Sequence, residues 1–152
     1  MMAVRFLICA VLWVGSAALA GAQTPCERLA TMTIAGGRIT GADLVQGHCR
    51  VAATLTPTSD SHIEMETRMP VEGWNGKFLG VGNGGWAGSI STGAMLAALQ
   101  EGYATASTDT GHKSSEMPGG SFAVGHPEKL ADYGYRAVHL MTVTAKAIVT
   151  AF

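Results

Sequence analysis

Apolar and polar positions alternate most cleanly over residues 62–69. Ile63, Met65, Thr67 and Met69 fall on one side, and His62, Glu64, Glu66 and Arg68 on the other. A period of two predicts a half-buried antiparallel strand. The run Cys49-Arg50-Val51-Ala52-Ala53-Thr54-Leu55-Thr56 predicts a strand before it. The turn residues Pro57-Thr58-Ser59-Asp60 lie between, so the two form a hairpin. Residues 24–47 show no period. With Gly36, Gly37 and Gly41 as breakers they read as loop, with a short strand at Met32-Thr33-Ile34.

Downstream, Phe78-Leu79-Gly80-Val81 is a short apolar run suited to a strand buried on both faces. Residues 92–101 carry Met95, Leu96, Ala98 and Leu99 at helical spacing, with Gly102 as the stop. Tyr103-Ala104-Thr105-Ala106-Ser107 predicts another strand, and residues 109–127 are loop. From about Leu130 to Phe152, Tyr135, Val138, Thr142, Ala145, Val149 and Phe152 step by three and four, as a helix does. The order is two strands, then strand–loop–helix–strand–loop–helix. This predicts an α/β fold with a mostly parallel sheet.

The first residues follow a different logic. A lone Arg5 precedes the apolar run Phe6-Leu7-Ile8-Cys9-Ala10-Val11-Leu12-Trp13-Val14, and small residues follow up to Ala22. That is the order of a secretory signal peptide over residues 1–22, and the run is too short for a membrane span of about 20 residues. The mature domain then covers 23–152, exported to the periplasm or outside the cell, with no membrane anchor. Cleavage removes Cys9 and leaves Cys26 and Cys49, an even pair that in an exported chain reads as a disulfide. Free thiols are the alternative. Two cysteines without CxxC spacing make no zinc site.

Composition narrows the function. Hydrophobic residues make up 47% and charged residues 14% of the 152, which excludes extensive disorder. Ten Lys and Arg against eleven Asp and Glu leave no basic surplus for nucleic acid. Asp60-Ser61-His62 holds the letters of a hydrolase triad, but neighbours on an extended chain point to opposite faces. His126-Pro127-Glu128 lacks the second histidine of a zinc motif.

The twenty glycines concentrate attention on Gly82-Asn83-Gly84-Gly85-Trp86-Ala87-Gly88, between a strand and a helix. Such a loop is either an oxyanion loop, where backbone N–H groups approach a substrate oxygen, or a plain tight turn. A dinucleotide reading, with glycines at 80, 82 and 85, ranks third. It lacks the acidic residue about 20 positions on that would take the ribose.

Trp74-Asn75-Gly76-Lys77-Phe78-Leu79-Gly80-Val81-Gly82-Asn83-Gly84-Gly85 resembles the tannase and feruloyl esterase family. So do Ala106-Ser107-Thr108-Asp109-Thr110-Gly111-His112, Gly125-His126-Pro127-Glu128-Lys129-Leu130 and Asp132-Tyr133-Gly134-Tyr135-Arg136-Ala137-Val138-His139. Cys26 and Cys49 sit where that family has an early cysteine pair. The resemblance spans 26–152. It implies a secreted serine esterase on an α/β-hydrolase fold with an inserted lid, cleaving gallate, ferulate and related aromatic esters. It assigns Gly85, and after it Gly84, as backbone oxyanion donors. Asp109 and His112 become loop-fixing residues near the site.

The chain departs from the family pattern in one respect. The family nucleophile lies in a GCSxGG turn, and no G-x-S-x-G occurs here. The triad aspartate and histidine, and a lid that often holds calcium, come later still. The resemblance therefore implies the N-terminal part of an esterase, without triad, metal or cofactor of its own, and inactive alone. The other reading is a small secreted α/β binding module with no catalysis. The DNA beyond codon 152 discriminates the two.

Overall fold

A computed structural model describes residues 24–115 and 119–152. The signal segment expected over 1–22 lies outside them. Five strands form one sheet in the order β1-β2-β3-β5-β4. These are β1 (Gly37–Val45), β2 (His48–Leu55), β3 (Ile63–Pro70), β4 (Phe78–Gly80) and β5 (Ala104–Thr108). The expected hairpin is β2–β3, antiparallel with Leu55 opposite Ile63 and Cys49 opposite Met69. Ile63, Met65, Thr67 and Met69 are all buried, as their alternation predicts, but Glu66 and Arg68 on the other face are buried as well, because Glu66 pairs with both Arg68 and Arg50.

The segment before the hairpin differs from expectation. Met32-Thr33-Ile34 is not a strand, and β1 occupies Gly37–Val45 instead. It pairs with β2 through the two-residue turn Gln46-Gly47, and its register slips between Ile39 and Gly41. Two of the glycines read as breakers, Gly37 and Gly41, are thus inside a bulged edge strand, where a bulge accommodates an extra residue, and Gly36 lies in the turn before it. The sheet is also less parallel than expected. Only β4 and β5 run parallel, because only they are joined by a helical crossover. β4 lies at the sheet edge, and Leu79 is 42% exposed rather than buried.

Helices cover both faces. α1 (Pro25–Arg28) is a single turn capped by Thr24, whose side chain accepts the Glu27 N–H. It carries Cys26, bridged to Cys49 of β2. Closing a loop with a sequence separation of 23 stabilises the fold by about 3 kcal/mol through loop entropy. α2 (Thr92–Gln100) connects β4 to β5 and buries Met95 and Ala98. Here the sheet face is polar: Ser107 Oγ accepts the Ser91 N–H at 3.0 Å.

The opposite face is apolar. Ala53, Leu55, Ile63, Met65 and Ala106 pack there against Ala137, Met141 and Ala145 of α4 (Ala137–Ala151). The buried stripe of α4 also includes Thr144 and Ile148, while Val138 is exposed and Tyr135 more so. Within α4 the buried stripe falls one position before the expected Val138, Thr142 and Val149, and Tyr135 lies in a π-helical turn, Asp132–Arg136, between α3 (Pro127–Ala131) and α4. One widened turn shifts the register of the helix face before it. No helix among the described residues is long and apolar enough to cross a membrane.

Candidate active site

In a parallel pair both strands end on the same side, so the loops after β4 and β5 emerge together, where α/β sheets bind ligands. The first loop is Gly82–Gly88. Its carbonyls are held partly by the loop itself and partly by neighbouring segments. Gly82 O accepts Ser91 Oγ at 2.9 Å, and Gly84 O accepts the Ala87 N–H at 3.2 Å. Asn83 Nδ2 donates to Ala87 O at 2.9 Å and Ser89 O at 2.8 Å. Tyr133 Oη donates to Gly85 O, and His112 Nε2 donates to Trp86 O at 3.0 Å. A carbonyl only accepts, so the His112 proton is on Nε2.

In a trans peptide the N–H points opposite to the C=O of the same unit. Gly84 O faces the Ala87 N–H and Gly85 O faces Tyr133 Oη, so the N–H groups of Gly85 and Trp86 point away from those partners, in an exposed stretch of the loop. Neither has a partner among the described residues. Gly85 has φ +57°, open to glycine at no steric cost, and a Cβ there would touch nothing within 4 Å. Gly88 is the opposite case. A Cβ on it would lie 2.3 Å from the His112 carbonyl oxygen, so only glycine lets the two loops close on each other.

The second loop, Asp109–Lys113, is packed with side chains. Asp109 is 3% exposed, and its Oδ1 accepts the N–H groups of Glu64 and Gly111, both at 2.9 Å. Burial pushes its pKa up to about 6 despite those two bonds, which favour the charged form. Thr108 Oγ1 donates to Glu64 O at 2.8 Å and accepts the Thr110 N–H at 3.1 Å. Thr110 itself has φ +60°, rare for a β-branched residue and tolerated at over-determined sites. His112 stacks on Phe122 with ring centroids 3.7 Å apart, and Trp86 on Tyr133 at 4.9 Å.

Tyr133 is delivered by the π-helical turn. Asp132 beside it is fully buried, with Oδ1 2.5 Å from Arg136 Nε. Arg136 also reaches Glu128 Oε2 at 2.8 Å, fixing the turn against α3.

The structure places Gly84 and Gly85 in the loop after β4 and Asp109 and His112 in the loop after β5, the two loops joined by the His112–Trp86 bond. Gly84 differs from Gly85 in that its carbonyl closes the turn. Trp86 N–H and Tyr133 were not singled out. Tyr133 stood inside a quoted motif, but nothing in its spacing reveals that a π-helical turn aims it at Gly85. Asp60, Ser61 and His62 do not converge: Asp60 pairs with His126 at 2.9 Å, Ser61 with Thr58 at 2.8 Å, and His62 lies 3.7 Å from Glu64. Among the described residues no three His, Cys, Asp or Glu side chains gather to hold a metal. The calcium that the resemblance attaches to a lid is assigned to no residue here.

The sequence profile described as tannase and feruloyl esterase matches residues 49–152. The chain belongs to this family. An uncharacterized esterase of Xanthomonas campestris pv. campestris is 43% identical over 110 residues, covering 72% of this chain and 19% of that protein. Feruloyl esterase B of Aspergillus niger is 33% identical over 104 residues, covering 68% of this chain and 19% of its own length. The crystal structure of feruloyl esterase B from Aspergillus oryzae superposes with a TM-score of 0.74 at 26% identity. That match covers 84% of this chain and 29% of the solved one. The chain thus spans about a fifth of the length of these curated relatives.

Proposed function

We propose that this chain supplies the oxyanion-binding loop of a secreted or periplasmic carboxylic ester hydrolase that cleaves aromatic, gallate- or ferulate-like esters by serine acyl transfer. The observation that carries the proposal is the pair of N–H groups on Gly85 and Trp86, unpartnered among the described residues, at the C-terminal end of a parallel strand pair. When a serine hydroxyl attacks an ester carbonyl, negative charge collects on the carbonyl oxygen. Preorganised N–H donors stabilise that charge more than they stabilise the neutral ester, which lowers the barrier. Gly85 N–H is the first donor, with Trp86 N–H beside it and Gly84 N–H a lesser candidate.

The nucleophile and its base come from outside these residues, since no G-x-S-x-G occurs in the sequence. Asp109 and His112 hold the loops and take no part in proton transfer. The Cys26–Cys49 bridge supports an oxidising compartment.

The test is hydrolysis of methyl ferulate, methyl gallate and an aliphatic acetate ester. We expect the 152-residue chain to give no turnover above background. An enzyme of the relatives' length carrying these residues should prefer the two aromatic esters. Turnover by the chain alone would remove the assignment of an external nucleophile. Equal rates on the acetate would remove the aromatic substrate class.

A further inference from the structure

Tyr133 meets the loop after β4 through its ring, stacked on Trp86, and through its hydroxyl, which donates to the carbonyl of Gly85. His112 donates to the carbonyl of Trp86, from the loop after β5. We infer that Tyr133 and His112 are positioning residues: Tyr133 fixes the peptide that carries the Trp86 N–H, and His112 fixes the Trp86–Ala87 peptide, whose Ala87 N–H in turn holds Gly84 O and with it the Gly85 N–H. The inference rests on the oxyanion reading and adds what orients the donors.

The Gly85 carbonyl and the Trp86 N–H belong to one planar peptide, so fixing the oxygen fixes the direction of the hydrogen. The turn needs such a fix. It is exposed, a side chain on Gly85 would meet nothing, and Gly85 sits at positive φ, where glycine is conformationally free. Without the two bonds neither the Gly85 carbonyl nor the Trp86 carbonyl would have a partner among the described residues, although Ala87 N–H still holds Gly84 O and Asn83 still holds Ala87 O. With them, the peptide planes on both sides of Trp86 are tied to the body of the protein. Preorganisation of this kind is what gives an oxyanion donor its advantage over water.

The tying residues are themselves held. Tyr133 stacks on Trp86 at an interplanar angle of 25°, and His112 on Phe122 at 10°. Asp132, next to Tyr133, is locked by Arg136. The rings supply packing and the polar atoms supply direction, so substitution can separate the two. Tyr133→Phe deletes one oxygen and keeps the stack. His112→Phe deletes the donor and keeps the ring on Phe122. His112→Gln discards the ring and keeps an N–H donor.

The experiment measures steady-state kinetics on methyl ferulate in an enzyme of the relatives' length carrying these residues, with active sites titrated. Tyr133→Phe and His112→Phe are each expected to lower kcat about tenfold with KM within twofold and an unchanged melting temperature. His112→Gln should recover most of the loss. Tyr135→Phe, on an exposed tyrosine two residues away, serves as the control and should match the parent enzyme. Gly85→Pro is run alongside. If it abolishes turnover while Tyr133→Phe and His112→Phe keep full kcat, the positioning role is overturned and the oxyanion loop stands. If Gly85→Pro keeps full kcat, both are overturned. A fall in kcat that tracks only a lowered melting temperature, without rescue by His112→Gln, also overturns the positioning role, because it reports folding alone.

Discussion

The loop after β4 and the loop after β5 leave the sheet side by side and are built in opposite ways. Residues 82–88 are mostly glycine, exposed at Gly84, Gly85 and Trp86, with the N–H groups of Gly85 and Trp86 unpartnered among the described residues. Residues 109–112 are fully buried, with side chains of Asp109 and Thr108 bonded to backbone and Thr110 held at positive φ. One loop is nearly all backbone; the other is a wedge of side chains behind it. The difference shows how a backbone site is made rigid. Glycine gives access but no stiffness, since it carries the largest conformational entropy of any residue. The neighbouring loop and the π-helical turn tie the carbonyls of the glycine loop, through His112 on Trp86 O and Tyr133 on Gly85 O.

The comparison breaks first at Gly85. In the enzyme of the relatives' length, Gly85→Pro should lower kcat by about a hundredfold or more through loss of a donor N–H. Proline is confined to φ near −65°, so it also forces Gly85 away from φ +57°. Gly85→Ala separates the two effects. It keeps the N–H and pays about 1 kcal/mol for the left-handed conformation. The expected order of kcat is therefore parent, then alanine with less than a tenfold loss, then proline. Equal losses for both would assign the effect to turn shape and remove the donor.

The second break is three residues on. Gly88→Ala places a methyl 2.3 Å from His112 O and 2.8 Å from its carbonyl carbon, so one of the two loops must move. Overpacking against backbone costs about 3 kcal/mol. Gly84→Ala meets nothing within 4 Å and should change stability by less than about 0.5 kcal/mol. Urea midpoints of the chain with each substitution measure this. A Gly88→Ala midpoint matching that of Gly84→Ala would mean the two loops are not in contact.

These two glycines show how far the sequence could be read. Both lie in one run, and nothing in their spacing distinguishes the donor-bearing Gly85 from the close-packed Gly88. The difference comes from a loop some 25 residues away. The hairpin β2–β3 was legible because Ile63, Met65, Thr67 and Met69 are sorted by the two faces of a strand, a local property. β1 was not. Its glycines obscure the alternation, and an edge strand with a bulge has no single period to detect. The α/β class was legible from element order, whereas the antiparallel majority of the sheet follows from connection lengths. The glycine loop was legible as a loop between a strand and a helix, and Asp109 and His112 as residues of the loop after the next strand. Tyr133 was hidden because a widened helical turn changes where a side chain points without changing the residue pattern.

The smallest effect, and the one that sharpens the comparison most, concerns the buried loop. Asp109 has its pKa raised from 3.8 to about 6 by burial, with the Glu64 carboxylate adding to the rise and His62 and the two N–H bonds opposing it. The folded state therefore binds this proton more tightly than the unfolded state does. Its contribution to stability is fully present below pH 3.8 and is lost as pH rises through about 6. Asp109→Asn keeps an oxygen for the Glu64 and Gly111 N–H groups and carries no charge. The stability of the Asn chain relative to the parent should therefore increase between about pH 4 and pH 6 and stay level above. Urea titrations at half-unit pH steps read this difference directly. A difference that stays constant from pH 3.5 to pH 7 would mean that Asp109 ionises as freely as on the surface. The loop after β5 would then be hydrated like its neighbour, and the contrast between the exposed backbone loop and the dry wedge behind it would fail.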